Sequence, residues 1–327
     1  MQRKPTFRAL TFTPLANGLD YLDSVVAHLG GKPTKRDLKY AVLHLYSAIE
    51  VLLKYRLIRE HWTTVVSRMD SADKTKFESG DFESASSLES YDRLVRICGL
   101  PLDKEDRKKI ETVGKLRNKL QHFGLSATTE EVAATTARAL DFLWRFIHEH
   151  VVPGAEDDEE AELDDVLDRV RADLGTILSL VTARMKELDP ILAQKDVVVD
   201  CPACRQSALI VDDTGVPTCA FCYREWVADE AASEYVGATH GLNEHSVLKD
   251  GGVWPVYSCV NCSEETLVSG VSIREQEGEH WVCFTCGMSV SLLDLDACTR
   301  CGAITDTSGD DGAPMCSSCW AEVIRSD

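Results

Sequence analysis

Apolar residues recur every three or four positions through most of the first 150 residues, a period that predicts helices. Leu19, Leu22, Val25, Val26 and Leu29 stripe a short helix from Asn17 to Leu29, which Gly30-Gly31 ends. Thr34, three before Asp37, opens a longer one whose inward face is Leu38, Ala41, Val42, Leu45, Ile49, Leu52, Leu53 and Leu57. That stripe needs about 25 residues, roughly 40 Å of helix. The polar segment from Asp70 to Ser90 reads as a loop or broken helix; helical character resumes from Leu88 to Ile97 and closes at Gly99-Leu100-Pro101. Asp103 caps the next helix. On it Ile110, Val113, Leu116, Leu120 and Phe123 are expected to face the core, with Gly124 as the stop. Thr128 and Glu131 form a capping box for a last helix with Val132, Thr136, Ala139, Leu140, Leu143, Phe146, Ile147 and Val151 inward. Residues from about 15 to 152 therefore predict a bundle of four or five helices.

Beyond this the pattern changes. Pro153-Gly154 and the acidic run Glu156 to Glu162 read as a solvated linker. Leu163, Leu167, Val170, Leu174, Ile177, Val181, Met185, Leu188 and Leu192 then form a near-heptad seam interrupted by Gly175, which packs back on the bundle or pairs with a second copy rather than lying exposed. Past residue 200 the periodicity gives way to short strand-and-turn segments such as Ala208 to Val211, Asp213-Thr-Gly215 and Val216 to Thr218.

Those segments are punctuated by cysteine. Of 13 cysteines, 12 fall after residue 200 as six C-x2-C pairs: Cys201/Cys204, Cys219/Cys222, Cys259/Cys262, Cys283/Cys286, Cys298/Cys301 and Cys316/Cys319. This spacing belongs to metal knuckles rather than a disulfide scaffold. Paired in order, they leave 14, 20 and 14 residues between knuckles, enough for a hairpin arm in each of three zinc ribbons. Four thiolates suit tetrahedral Zn²⁺ and close its coordination, so about three structural zinc ions per chain are expected. Interleaved pairing among the last four knuckles, or a histidine ligand from His240, His245 or His280, is the alternative. Cys98 stands alone among helical residues and reads as a small buried apolar side chain.

Charge separates the halves. Residues 1–150 carry 24 Lys and Arg against 20 Asp and Glu, a net of +4, whereas the remainder carries 11 against 34, a net of −23. Only the first half could welcome a polyanion. The acidity of the tail tilts its ribbons from nucleic acid toward a protein partner. No apolar run approaches the ~20 residues of a membrane span, and no apolar leader with a small-residue cleavage site opens the chain, so a cytoplasmic address is expected.

Candidate chemistry concentrates in Lys115 to Gly124. Asn118 and His122 are four apart and share a helical face, whereas Arg117 and His122 are five apart, about 140° round the axis. One chain aims that pair poorly at a single phosphate; a second copy across the helix end would offer two of each to a shared cleft. Upstream, Glu50 and Lys54 sit at the favourable i, i+4 spacing of an ion pair. Arg117-Asn118-x3-His122, with Glu50-x3-Lys54 on an earlier helix, resembles the motif and second polar pair of the HEPN (higher eukaryotes and prokaryotes nucleotide-binding) family over about the first 150 residues. The resemblance implies a homodimer whose motifs meet. It further implies a metal-independent endoribonuclease of toxin, defence or RNA-processing type, or a catalytically inactive dimerisation domain. One toxin branch of the family carries a tyrosine two residues after the histidine, the target of a partner nucleotidyltransferase; Gly124 occupies that position here.

The expected architecture is multidomain: an all-α, HEPN-like bundle (1–152), an acidic linker and connecting helix (153–195), and three small β-rich zinc ribbons (196–230, 231–290 and 291–327). Arg117, His122, Asn118, Glu50 and Lys54 are the candidate catalytic residues, RNA the candidate substrate, and the ribbons recruit a partner or substrate. The rival is a non-catalytic dimerisation protein with the same recruiting ribbons.

Overall fold

The computed structural model describes residues 12–307 and 314–326, side chains of Asp158 and Ser326 excepted, and divides into two compact units meeting between Ala183 and Arg184. The N-terminal unit is helical: α1 (Pro14–Leu29), α2 (Lys35–Glu60), α3 (Lys74–Ser79), α4 (Ser87–Arg96), α5 (Lys104–His122), α6 (Thr129–Phe146) and α7 (Asp157–Leu174), followed by α8 (Leu178–Leu192), along which the chain passes into the second unit.

Side-chain caps set most of the starts. Thr34 and Asp37, Ser86 and Glu89, and Thr128 and Glu131 form reciprocal capping boxes on α2, α4 and α6, and Asp103 accepts from the Asp106 N–H at the head of α5. The apolar stripes then bury together. Leu19, Leu22 and Val25 of α1, Leu45, Ile49 and Leu52 of α2, Ile110 and Val113 of α5, and Leu140 and Leu143 of α6 are all fully covered. Gly18 brings α1 against α2, since a Cβ there would lie 2.6 Å from the Leu52 side chain.

A buried ionic network locks α5 to α6. Arg145 reaches both Asp106 carboxylate oxygens at 2.7 and 2.9 Å, and Lys109 lies 3.2 Å from Asp106 and 3.8 Å from Asp141. Asp106 is only 1% exposed, so its charge depends on both cations: with Arg145 removed, Lys109 would remain its one ion-pair partner.

Three expectations change. The acidic run is not a linker: it forms the first turns of α7, started by a Glu156/Glu159 capping box, and Tyr55 donates to Glu159 Oε2 at 2.6 Å. Leu163, Leu167 and Val170 are buried, and α7 packs against α1, so this part of the seam completes the bundle. The seam itself is two helices broken at Gly175–Ile177. Finally, the end of α5 leaves the core, with Leu116 and Leu120 half-buried and Phe123 89% exposed: Leu116 lines an open cavity with Val132 of α6 instead of packing directly into the core.

The C-terminal unit is built of small antiparallel sheets. Strands β1 (Val198–Asp200), β2 (Ser207–Ile210) and β3 (Thr218–Cys219) form the first; β4 (Val256–Ser258), β5 (Glu265–Val271), β6 (His280–Cys283) and β7 (Ser289–Ser291) the second; β8 (Leu295–Ala297) and β9 (Ile304–Asp306) the third. The first hairpin follows the expected strand and turn, with Leu209 opposite Cys219. Helices α9 (Ala228–Tyr235) and α10 (Glu244–Lys249), which the sequence pattern did not suggest, lie between the first two sheets, and α11 (Ser317–Ser326) follows the third. Leu295 and Ile304 pack on the core of the second sheet around Leu267 and Trp281.

Candidate metal centres and Arg/His site

Five of the six knuckles fold on one local plan. In each the residue after the second cysteine has positive φ: Arg205, Tyr223, Ser263, Gly287 and Gly302. Its N–H donates to the carbonyl of the first cysteine at 2.8–3.0 Å, and the first cysteine's N–H donates to the carbonyl two residues past the second at 2.7–2.9 Å. This turn points both thiols to one side. The sixth knuckle, Cys316/Cys319, sits at the head of α11 instead.

The turns bring the cysteines together in sequential fours: Cys201, Cys204, Cys219 and Cys222; Cys259, Cys262, Cys283 and Cys286; Cys298, Cys301, Cys316 and Cys319, with the sulfurs of each group within 4.8 Å of one another. The interleaved alternative is therefore not adopted. The histidine alternative fails as well: among the described residues His240, His245 and His280 enter no such group, and His240 Nε2 is instead 3.2 Å from the Gly270 carbonyl.

Close sulfur pairs lie at 3.7 Å in the first group, 3.6 and 3.9 Å in the second and 3.6 Å in the third. A disulfide is about 2.05 Å, whereas a tetrahedral ion with metal–sulfur bonds of about 2.3 Å spaces its ligands by about 3.8 Å. The groups fit the ion. The thiols within the groups are uneven: burial raises Cys219, Cys259 and Cys262 and neighbouring thiols raise Cys204 and Cys319, whereas the N–H groups of Cys316, Cys301 and Arg300 bring Cys298 down to about 6. Burial opposes ionisation of Cys286, but donors from Asn261 and Met288 prevail and bring it to about 7. The three centres differ in cover. All four cysteines of the first are buried, whereas in the third Cys301 is exposed.

In the helical unit, Arg117 lies with its guanidinium 4.9 Å from the centre of the Tyr46 ring and donates to Asn118 Oδ1 at 2.9 Å. Gly114 makes room for this stack, since a Cβ there would come within 2.8 Å of Tyr46 Cε2. His122 is exposed on the last turn, its ring edge-on to Phe123 with centroids 6.1 Å apart. Arg117 is half-buried and oriented, and His122 is uncovered, but no contact joins them. A cavity of about 330 Å³ beside this end of α5 is lined by Lys115, Leu116, Lys119, Glu131 and Val132, and by neither Arg117 nor His122.

Glu50 and Lys54 do form their ion pair, at 2.6 Å, and Lys54 also donates to Ser84 at 2.8 Å. These contacts tie α2 to the segment before α4 and do not reach Arg117 or His122. Cys98 is half-buried, and burial together with Glu60 raises its thiol.

Searches of family models, curated proteins and solved structures return no match to this chain. The site is therefore read from its own geometry. Sequence reasoning did not single out Tyr46 or Gly114. A signal was present for the tyrosine: Tyr46, Glu50 and Lys54 recur every four residues along one stripe of α2. Among the described residues no helix is long and apolar enough to cross a membrane.

Proposed function

We propose that the protein is a homodimeric, metal-independent endoribonuclease resembling HEPN proteins, its cutting site formed where the α5 ends of two copies meet, and that each cysteine group holds one structural Zn²⁺, three per chain. The observation that carries this reading is an Arg117 pre-oriented by Tyr46 and Asn118, with His122 uncovered on the last turn of the same helix. The site is incomplete in one chain. Phe123, exposed on the same end of α5, supplies apolar surface that a second copy would cover.

In this arrangement the imidazole takes the proton of an RNA 2′-hydroxyl as it attacks the adjoining phosphorus, and a second imidazole protonates the departing 5′-oxygen. Arg117 stabilises the charge growing on the phosphoryl oxygens. Asn118 holds the guanidinium. Glu50 and Lys54 support the fold around Ser84 and take no part at the reacting atoms. Four-thiolate zinc sites have no open position for a reactive water, so the ribbons are scaffolding and recruitment modules.

A second reading, a non-catalytic dimer whose tail recruits a protein, is favoured by α11, where Trp320 and Ile324 are 51% and 61% exposed. The two readings part in one assay: wild type, His122→Ala and Arg117→Ala incubated with mixed cellular RNA. Cutting by wild type should fall by about 10²–10⁴-fold in His122→Ala, with zinc content and fold intact. Equal cutting by the variant, or none by wild type, would overturn the nuclease reading.

A further inference from the structure

The α1–α2 hairpin carries, along its rim, a row of four half-buried rings. Tyr21 lies 5.8 Å from His44, His44 is 6.0 Å from Tyr40, and Tyr40 stacks on His28 at 5.7 Å with 26° between planes. Ser24 Oγ meets His44 Nδ1 at 2.8 Å and fixes that ring. At the open end of the row Arg36 and Lys39 sit 5.6 and 5.8 Å from the Tyr40 centroid.

The charge here is unusual for the place. Lys32, Lys35, Arg36 and Lys39 are all exposed, and among the described residues none of them forms an ion pair. The nearest acid in sequence, Asp37, is engaged by Thr34 and His28. Three of these cations lie in the first turns of α2, at the positive end of the helix dipole, where they oppose helix stability. An uncompensated cationic patch beside half-open aromatic faces is the combination that holds single-stranded nucleic acid, with bases on the rings and phosphates on the cations. Bases paired inside a duplex could not reach the rings.

We infer that this rim is a docking platform for a single strand of RNA, whose bases stack on Tyr40 and its neighbours and whose phosphates meet Lys32, Lys35, Arg36 and Lys39. The choice of RNA rests on the proposed nuclease reading; the recognition chemistry does not. Tyr40 is six residues from Tyr46, about 9 Å along the same helix and about 120° round its axis, so the rim faces α1 while Tyr46 carries Arg117 on another side of α2.

The test uses the full zinc-loaded chain carrying His122→Ala, to suppress cutting, and fluorescence anisotropy with a labelled 12-nucleotide RNA and its duplex. Adding Tyr40→Ala should weaken single-strand binding about 10-fold, while Tyr40→Trp preserves it. Arg36→Ser with Lys39→Ser should lower the slope of log affinity against log salt by about 1.4, two phosphates at about 0.7 each. Single-strand binding unchanged by Tyr40→Ala, loss in Tyr40→Trp as well, or equal affinity for the duplex would each overturn the platform. Platform variants that bind normally, with wild type still cutting, would refute the platform alone; Tyr40-dependent binding by a protein that never cuts would support it and refute the nuclease reading.

Discussion

At the scale of single residues, cysteine spacing named all twelve candidate ligands, because a C-x2-C turn has little choice of shape, but the pairing of the last four knuckles and the exclusion of His240, His245 and His280 came only with the fold. What spacing could not convey is the left-handed residue that closes each turn. Gly287 and Gly302 hold it in two knuckles, but Arg205, Tyr223 and Ser263 adopt it without being glycine, held there by the two backbone hydrogen bonds that straddle the turn. Replacing Ser263 by glycine should therefore stabilise the zinc-loaded tail by about 0.5–1 kcal/mol. Gly287→Ala should do the opposite by more than about 1 kcal/mol, since its φ is +68° and the new Cβ would meet Asp212 Cα at 2.9 Å. Thermal unfolding of the two variants against wild type checks both signs. Arg117 and His122 were recognisable by type, but the Tyr46 stack was not, because it arises only when Gly114 lets α5 close on α2.

Among elements, helix starts were the most legible feature, since Thr34, Asp103 and Thr128 announce themselves as caps, whereas the Ser86/Glu89 box that starts α4 lay inside a stretch read as loop. Ends and partners were less so. The acidic run before α7 looked like solvated chain because its charge hid a capping box, and α5 looked buried to its last turn because period alone does not say how far along a helix the core reaches. The short α9 and α10 were masked by the surrounding cysteines. The caps carry a pH prediction. Backbone and hydroxyl donors of Ser86 hold Glu89 below its ordinary value, and the Asp106 N–H does the same for Asp103. Because both carboxyls are depressed in the folded chain, their stabilisation is present above the unfolded value near pH 4 and fades as pH falls through the lowered folded values. Urea midpoints read from the helical signal should hold from pH 7 to about pH 5 and drop below about pH 4, and Glu89→Gln with Asp103→Asn should shrink that drop. A drop of the same size in the double variant would assign the acid sensitivity elsewhere. Ser86→Ala should cost about 1 kcal/mol at neutral pH.

For the molecule as a whole, the division of charge agrees with the division of labour proposed: a helical half with cationic faces for a polyanion, and an acidic tail whose folding depends on metal. Two organisational features were visible in the sequence, a helical bundle and three cysteine-based ribbons. The seam of α7 within the bundle needed the structure, because an apolar stripe does not name its partner. Since the tail's thiolates converge only in the folded state, chelation should unfold residues beyond about 195 and leave the helical transition in place, so that calorimetry loses one of two transitions in EDTA; loss of both would show that the helical unit depends on metal. That separation also makes the central claim testable. Wild type and His122→Ala are incubated with cellular RNA in EDTA, over times too short to strip the ribbons, and any new ends are mapped. A 2′,3′-cyclic phosphate with a 5′-hydroxyl, absent from His122→Ala, is the result expected of attack by the neighbouring 2′-oxygen at an Arg/His site; a 3′-hydroxyl with a 5′-phosphate, or cutting that stops the moment EDTA is added, would contradict it.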